Sequence, residues 1–250
     1  MQRYEAENIA LSAAMICAAD GTPPARAMVS AGTAFLTGKM NADAFAKKCV
    51  DNSLYANAVT LLSAASSDDC SVEGLCALHK TLFAAKPDAG EIRASALERT
   101  GGAHADPRIL RGSLKNVLTK LSQLPAAPQI AKADFAALLS GYDRELIILS
   151  PFAYGNAAVR RVFLSRFCRA HGFRLSFASA NKSELTAAED AAFMGDDPQP
   201  LFSLLVKCLN YGQEERKADD RKKQPALPSA RKKERIAKNT PPDPIVKSGV

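Results

Sequence analysis

Apolar side chains recur at helical spacing along most of this chain, and two such patterns flank one short polar stretch. The first comprises Phe135, Leu138, Leu139, Tyr142, Leu146 and Leu149, and the second comprises Val159, Val162, Phe163 and Phe167. Because Pro151 disfavours α-helical backbone at the residue before it, the first helix must end near Ser150. The stretch between the patterns is therefore predicted to be a tight loop that leads into a helix N-terminus.

Further helices are predicted before and after this loop. With their capping residues they cover roughly 5–19, 23–37, 41–49, 54–65, 68–82, 110–124, 183–195 and 201–209. Ser183 is the expected N-cap of the helix that ends at Gly195. Residues 93–102 form the only hairpin that the pattern favours, a short one with glycine at its tip. The sequence predicts an all-α protein with one small β-hairpin.

The positive charge lies mainly at the C-terminal end. Of the net charge of +7, residues 214–250 contribute +5, from eleven Lys and Arg against six Asp and Glu. This segment is also rich in proline and poor in large apolar residues, so 213–250 is predicted to be a disordered basic tail. Its charge allows electrostatic contact with nucleic acid. No aromatic residue after Tyr211 supplies base stacking, which favours a solvated tail instead.

Cysteine and histidine usage indicates a reduced protein without a metal centre. The six cysteines have no Cys-x-x-Cys spacing, which is typical of thiols in a cytoplasmic protein. The three histidines lie far apart in sequence, so no metal site is expected. The apolar runs are too short and too interrupted to cross a bilayer, and no membrane partner is expected.

The stretch 150–161 has the features of an anion site. Gly155 and Asn156 are the residue types that best tolerate left-handed backbone. The free N–H groups at the following helix start attract anions, and Arg161 lies within the first turns of that helix. The stretch alone predicts either a phosphate site or a plain helix–loop–helix.

These residues, Ser-Pro-Phe-Ala-Tyr-Gly-Asn-Ala-Ala-Val-Arg-Arg, resemble the motif His-Pro-Phe-x-(Asp/Glu)-Gly-Asn-Gly-Arg-x-x-Arg of Fic (Fido) proteins. Three further segments agree in order and spacing. Residues 78–93 are similar to the family's "LH..LF…AGEIR", 100–107 resemble its flap and the following turn, and 195–201 resemble its "GD..PL". The resemblance implies a Fic-type helical domain over 68–212, with a flap at Thr100, Gly101 and Gly102.

The motif departs from the family at the positions that carry chemistry. Ser150 stands where the family has its general base, and a serine hydroxyl is not basic near neutral pH. Tyr154 stands where a carboxylate holds Mg²⁺, and a neutral phenol is a poor ligand for that ion. Ala157 and Ala158 replace a glycine and a phosphate-binding arginine. These losses imply that proton transfer and metal binding are gone.

What remains of the motif implies a weak phosphate site formed by Gly155, Asn156 and Arg161. The expected ligand is ATP or another nucleotide, without Mg²⁺. The preferred interpretation is a pseudoenzyme that has lost AMP transfer and acts by binding a nucleotide or a protein partner, such as another Fic protein or its target. The first alternative is a transferase with another donor, which moves a nucleotidyl, phosphoryl or glycosyl group to a protein. The second is a nucleic-acid-associated accessory protein that acts through the tail.

Residues 1–67 form a predicted helical module that resembles the small antitoxin of Fic proteins. The antitoxin carries Ser/Thr-x-x-x-Glu-Gly/Asn, whose glutamate pairs with the last arginine of the Fic motif. In the preferred register Ser12 matches, but Ile16 and Cys17 replace Glu and Gly. A rival register uses Glu7-Asn8 and places Arg3 where Ser or Thr belongs. The preferred register implies an inhibitory motif that has decayed along with the active site.

Two histidines near these segments receive separate interpretations. His79 lies on or beside an apolar stripe, so it is predicted to be a packed core residue. His104 follows the flap, and its position alone makes it a candidate for a substitute base.

Overall fold

The computed structural model describes residues 1–65, 69–195 and 197–212. Within these ranges the chain forms ten α-helices. They are α1 (Arg3–Ala19), α2 (Arg26–Leu36), α3 (Ala42–Lys48), α4 (Ser53–Ser63), α5 (Val72–Leu82), α6 (Leu110–Leu121), α7 (Lys132–Leu149), α8 (Asn156–Ala170), α9 (Lys182–Met194) and α10 (Gln199–Cys208). The prediction of an all-α fold is confirmed. The predicted tail, 213–250, lies outside the described residues.

Two small antiparallel sheets accompany the helices. Strands β1 (Glu98–Arg99) and β2 (Gly102–Ala103) form the predicted flap hairpin, with Arg99 opposite Gly102. Strands β3 (Phe173–Leu175) and β4 (Leu209–Tyr211) form a second sheet that the sequence pattern did not predict. The reason is that β4 continues α10 without a break, so its apolar residues extended a helical pattern.

Side-chain caps set the start of two helices differently from the prediction. Asn181, and not Ser183, is the N-cap of α9: its side chain accepts a hydrogen bond from the backbone N–H of Glu184, and the Glu184 side chain accepts one from the Asn181 N–H. This reciprocal capping box satisfies two free donors, which Ser183 inside the first turn does not. Ser71 caps α5 by accepting a hydrogen bond from the N–H of Gly74, so this helix starts later than the predicted range 68–82.

The core is continuous from α1 to α10. Helix α1 packs against α2 and α4, and also against α8 and α9, so the first helix shares its core with the loop-bearing helices. Met1–Gln213 forms one compact unit. The predicted boundary between 67 and 68 falls on residues that are not described and stays a prediction. Among the described helices, none combines the length and the hydrophobicity needed to span a bilayer.

The motif loop, residues 150–155, connects α7 to α8 and has left-handed backbone at both ends. Ser150 ends α7 with φ of 39°, which is uncommon for a residue other than glycine. Gly155 precedes α8 with φ of 66°, and a Cβ there would lie 2.2 Å from the ring of Phe83. Both the backbone angle and the contact therefore require glycine at position 155.

Candidate functional site

Arg93 anchors the motif loop to the segment that follows the flap. Its guanidinium donates to the carbonyl oxygens of Ser95 (2.7 Å), Ala105 (2.6 Å), Leu149 (3.2 Å) and Ser150 (2.8 Å). The residue is buried, and every one of these acceptors is a neutral backbone group. One arginine thus satisfies two of the carbonyl groups left free at the end of α7, those of Leu149 and Ser150.

His79 holds the other end of the loop. Its Nε2 donates to the carbonyl of Tyr154 at 3.1 Å, and its Nδ1 accepts from the N–H of Gly90 at 2.8 Å. The ring stacks on Phe152 with centroids 4.0 Å apart and is 1% exposed. Burial lowers the pKa of His79, so the ring stays neutral near pH 7. The prediction of a core histidine is confirmed.

Asn156 closes the loop on itself. Its side-chain oxygen accepts from the N–H of Phe152 at 2.9 Å, and its amide nitrogen donates to the carbonyl of the same residue at 2.7 Å. The amide that was predicted to bind phosphate is therefore engaged in the loop, and it contributes shape to the site.

The two positions that define the family's chemistry hold groups already occupied by internal bonds. Ser150 is 5% exposed, and its Oγ donates to the carbonyl of Ile147 at 2.8 Å. The Tyr154 hydroxyl donates to Asp88 at 2.8 Å. Desolvation, and then the bond to Asp88, raise the pKa of Tyr154 to about 12. Neither side chain has the charge or basicity needed to take a proton or hold Mg²⁺.

Two arginines of α8 form a buried ion cluster with two carboxylates, which comprises Asp143, Arg160, Arg161 and Glu189. The Nε of Arg160 lies 2.7 Å from Oδ1 of Asp143, and Arg160 and Arg161 both pair with the same oxygen of Glu189. Each side chain in the cluster is less than 10% exposed. The formal charges, two positive and two negative, cancel.

Glu189 is the centre of this ion cluster. Burial alone would raise its pKa, but Arg160 and then Arg161 hold the pKa of Glu189 below its ordinary value. Burial raises the pKa of Asp143, which Arg160 opposes. Glu189 therefore remains ionised at neutral pH and neutralises the guanidinium that was expected to bind phosphate.

Helix α1 brings a third carboxylate to the same region. Ser12 accepts a hydrogen bond from the N–H of Phe177 at 3.1 Å, and Ile16 is fully buried. Asp20, one turn beyond Ile16, caps the helix. Burial raises the pKa of Asp20 to about 6, while the charge of Arg161 acts to lower it.

The rival register of the antitoxin-like motif places Glu7 at the inhibitory position. Glu7 forms an ion pair with Arg3 on the exposed face of α1.

A pocket of about 270 Å³ lies between the flap and the motif loop. Its lining is Leu97, Glu98, Arg99, His104, Ile147, Ser150, Ala153, Tyr154, Asn156, Ala157, Arg160 and Glu189. The structure thus brings together four of the predicted site residues: Ser150, Tyr154, Asn156 and Ala157. Gly155 and Arg161 are not in the lining, and Ala158 is fully buried in the core.

The flap tip does not reach this pocket. Thr100 and Gly101 form the turn, and a Cβ at Gly101 would lie 2.3 Å from the sulfur of Met194 on α9. Arg99 pairs with Asp190 and lies over the ring of Phe193, 5.5 Å from its centroid. The flap is therefore fixed on α9, and only its strand residues border the pocket.

Sequence reasoning missed Asp20, Asp143 and Glu189. The sequence did contain a signal for Glu189. It shares one face of α9 with Leu185 and Ala192, at the spacing i, i+4 and i+7, so a charged residue stands at a position that is normally apolar. A buried carboxylate requires a buried partner, and the arginines of α8 are the nearest candidates in the motif. Without the fold, nothing assigned that partner.

The residues of this site do not fit a magnesium-bound triphosphate. The cluster beside the pocket is neutral, and Glu189, a carboxylate, is exposed to the pocket. The described residues contain no group of three His, Cys, Asp or Glu side chains that could hold a metal ion. No reaction step through a metal or nucleotide follows from this arrangement.

Ten helices, a flap hairpin and a loop at the α7–α8 junction together define an all-α domain with the Fic (Fido) fold. Solved Fic-domain effectors of Bartonella are similar in structure. The BepC protein of Bartonella tribocorum, with bound AMPPNP, matches with a TM-score of 0.58 and 19% identity over 66% of this chain and 86% of that one.

Other Bartonella effectors match to the same extent. The N-terminal Fic domain of an effector from Bartonella quintana, with bound ADP, has a TM-score of 0.58 and 19% identity over 67% of this chain and 86% of that one. The domain from Bartonella sp. AR 15-3 has a TM-score of 0.54 and 21% identity over 67% and 84%. No protein-family model matches the sequence, and no curated protein matches it. The similarity therefore defines the fold.

Proposed function

We propose that this Fic-fold protein is a pseudoenzyme that does not transfer AMP and acts by binding a protein partner. The observation that carries the proposal is the buried ion cluster, in which Glu189 pairs with both Arg160 and Arg161. A phosphate group that took the guanidinium nitrogens now bound to Glu189 would have to displace a carboxylate that is already desolvated.

The energetic cost of that displacement is large. Separating a buried ion pair costs about 3–5 kcal/mol, because the released charge stays away from water. A charge-assisted hydrogen bond to phosphate returns about 1.5–3 kcal/mol. We therefore expect weak nucleotide binding by this chain, although solved Bartonella domains of the same fold hold AMPPNP or ADP.

The loop chemistry supports the same conclusion. Ser150 already donates its proton to the carbonyl of Ile147, and the Tyr154 hydroxyl is bonded to Asp88. A hydroxyl nucleophile would find no base at position 150, and Mg²⁺ would find no carboxylate at position 154. The intact anchoring by Arg93 and His79 supports a retained scaffold for binding.

The proposal includes a cytoplasmic location and a protein partner. Cys17, Cys49, Cys168 and Cys208 are buried as thiols in the core, which supports a reducing compartment. Among the described residues the flap hairpin has two strands, so strand pairing with a partner segment is the expected mode of contact. Nucleic-acid binding through residues 213–250 remains a prediction outside the described residues.

One observation favours the alternative, a transferase that uses another donor. His104 lines the pocket beside Ser150, so an imidazole is present although the motif has none. The pocket of about 270 Å³ is below the roughly 300–1,000 Å³ of typical ligand sites, which counts against a whole nucleotide as donor.

Calorimetry and a transfer assay test the proposed function. The full chain is titrated with Mg²⁺–ATP and incubated with ATP labelled in the adenylyl group, Mg²⁺ and a cell lysate. The BepC domain that holds AMPPNP serves as the positive control for binding. We expect a Kd weaker than about 1 mM and no labelled product. Labelled AMP on any protein, made by the wild-type chain above the background without it, would overturn the proposal.

A second variant tests the cause of the weak binding. Glu189→Gln keeps the shape of the side chain but removes the charge that neutralises Arg160 and Arg161. We expect inorganic phosphate to bind Glu189→Gln at least tenfold more tightly than the wild type. The matched control is Glu184→Gln, which removes a carboxylate of the same helix whose partner, Lys207, is not in the pocket lining. Equal phosphate affinity in Glu189→Gln and the wild type would show that the cluster is not the obstacle.

A further inference from the structure

The backbone of His104 is fixed between the flap and α7. Its N–H donates to the carbonyl of Leu97 at 2.9 Å, which extends the flap pairing by one residue pair. The N–H of Ala105 donates to the carbonyl of Ile148 at 3.1 Å. Because Arg93 also binds the Ala105 carbonyl, this segment has little freedom to move.

The hydrogen bonds of the imidazole determine which nitrogen carries the proton. Nδ1 lies 3.1 Å from the carbonyl oxygen of Ile147 and 3.3 Å from that of Ile148. Carbonyl oxygens only accept, so Nδ1 carries a proton, and in the neutral ring Nε2 then carries a lone pair. Among the described residues no group donates to Nε2, and the ring packs on Phe193 with centroids 4.8 Å apart.

The immediate surroundings keep this imidazole neutral. Burial lowers the pKa of His104, and the charges of Arg99 and Arg93 lower it further, although the carbonyls of Ile148 and Ile147 act to raise it. A neutral ring with its proton on Nδ1 presents Nε2 as a hydrogen-bond acceptor and a base.

The rest of the pocket favours neither anions nor cations. Arg99 is paired with Asp190, and Arg160 is paired with Glu189. Glu98 is exposed to solvent, so its charge is screened. Ser150 donates its own proton away from the pocket, to the carbonyl of Ile147. The pocket therefore offers hydrogen-bond acceptors, and the charged side chains around it are paired or screened by solvent.

We infer that this pocket binds a neutral group through its hydroxyl, which donates a hydrogen bond to Nε2 of His104. The volume of about 270 Å³ suits one side chain or a small polar molecule. The inference rests on the proposed function in one respect, namely that a triphosphate does not occupy the same space. His104 thus supplies the pocket with a hydrogen-bond acceptor from a segment outside the motif.

Nitrogen NMR on the full ¹⁵N-labelled chain tests this inference. His171 is an internal control, because its Nδ1 also lies 3.0 Å from a carbonyl, that of Phe167, and it is not in the pocket lining. We expect His104 to show a bare Nε2, whereas His79 shows a protonated one. N-acetylserinamide, a neutral probe with one hydroxyl, should shift Nε2 of His104 upfield in a saturable way and leave His171 unchanged.

A conservative variant separates binding from folding. His104→Asn keeps a side-chain N–H for the carbonyls of Ile147 and Ile148 but lacks the Nε2 acceptor. In this variant the probe should no longer move the backbone amide signals of Ala153 and Ala157, which line the pocket. The inference is overturned if Nε2 of His104 is protonated, if the probe leaves it unmoved, or if His171 shifts equally. A separate titration with Mg²⁺–ATP reports on the proposed function alone.

Discussion

The motif loop and the helices that flank it are held from two sides, and the two sides use different chemistry. On one side Arg93 and His79 bind backbone carbonyl and N–H groups, all of them neutral. On the other side Arg160 and Arg161 bind the carboxylates of Asp143 and Glu189. On both sides the side chains that make these contacts are buried.

The difference shows that the shape and the charge of the site are maintained independently. Backbone bonds fix the loop whatever side chains occupy positions 150 and 154, because they use only main-chain atoms. The ion cluster, in contrast, neutralises the positive charge that anion binding requires. A chain can therefore keep a Fic-type loop while it loses the ability to bind a phosphate at that loop.

Breaking the charged side should have the largest effect. Glu189→Ala leaves Arg160 with one partner and Arg161 without its ion pair, both in the core. Removal of one partner from a buried ion pair typically costs 3–5 kcal/mol, so we expect a loss of about 4 kcal/mol in the free energy of unfolding. Urea denaturation of the full chain measures this loss.

The neighbouring Asp190→Ala provides the control for that measurement. Asp190 pairs with Arg99 but is 54% exposed, so its loss should change the stability by no more than about 1 kcal/mol. Similar destabilisation in the two variants would contradict the view that Glu189 holds a buried cluster together.

Breaking the neutral side should have a somewhat smaller effect. Arg93→Ala removes four hydrogen bonds to backbone carbonyls, although water can enter and satisfy some of them. We expect a loss of about 3 kcal/mol in the free energy of unfolding, since hydrogen bonds from a charged donor contribute roughly 1.5–3 kcal/mol each and are not additive. The amide signals of residues 150–155 should also broaden, whereas those of α9 should not.

Arg93→Lys distinguishes geometry from charge at this position. An ammonium group keeps the positive charge but lacks the planar fork that reaches four acceptors from one side chain. The lysine variant should recover less than half of the lost stability. Full recovery would mean that charge alone matters at position 93, and the comparison of the two sides would fail.

Much of the fold follows from helical periodicity and caps. The spacing of Val159, Val162 and Phe163 defines α8, and Asn41 caps α3 as predicted by accepting from the N–H of Ala44. The second sheet was not predicted, because β4 continues directly from α10 and an apolar residue at that point fits either a helix or a strand. Local propensity cannot separate the two without knowledge of the distant partner strand.

The site was predictable in its position but not in its electrostatics. The degenerate positions Ser150 and Tyr154 both line the pocket. The partner of Arg161 could not be deduced, because Glu189 is 28 residues away in sequence and only the packing of α9 on α7 brings it near. The antitoxin-like pattern at Ser12 and Ile16 stays a prediction, while Asp20 is the acidic residue of α1 that Arg161 influences.

The smallest predicted effect concerns the coupling of Asp20 to this cluster. Burial raises the pKa of Asp20 to about 6, above its value of about 4 in an unfolded chain. Between these two values the folded protein binds more protons than the unfolded chain, so the stability contribution of Asp20 falls as the pH rises from about 4 to 6. The Asp20→Asn variant lacks this dependence. Its free energy of unfolding minus that of the wild type should therefore rise by on the order of 2 kcal/mol between these two pH values.

Urea denaturation at several pH values measures this difference directly. Glu7→Gln is the matched control, because it removes an acidic residue on the exposed face of the same helix. Its stability should differ from that of the wild type by no more than about 1 kcal/mol, since an exposed ion pair contributes little. A difference for Asp20→Asn that falls instead of rising would mean that Arg161 outweighs burial, and Asp20 would then belong to the ion cluster as a stabilising member.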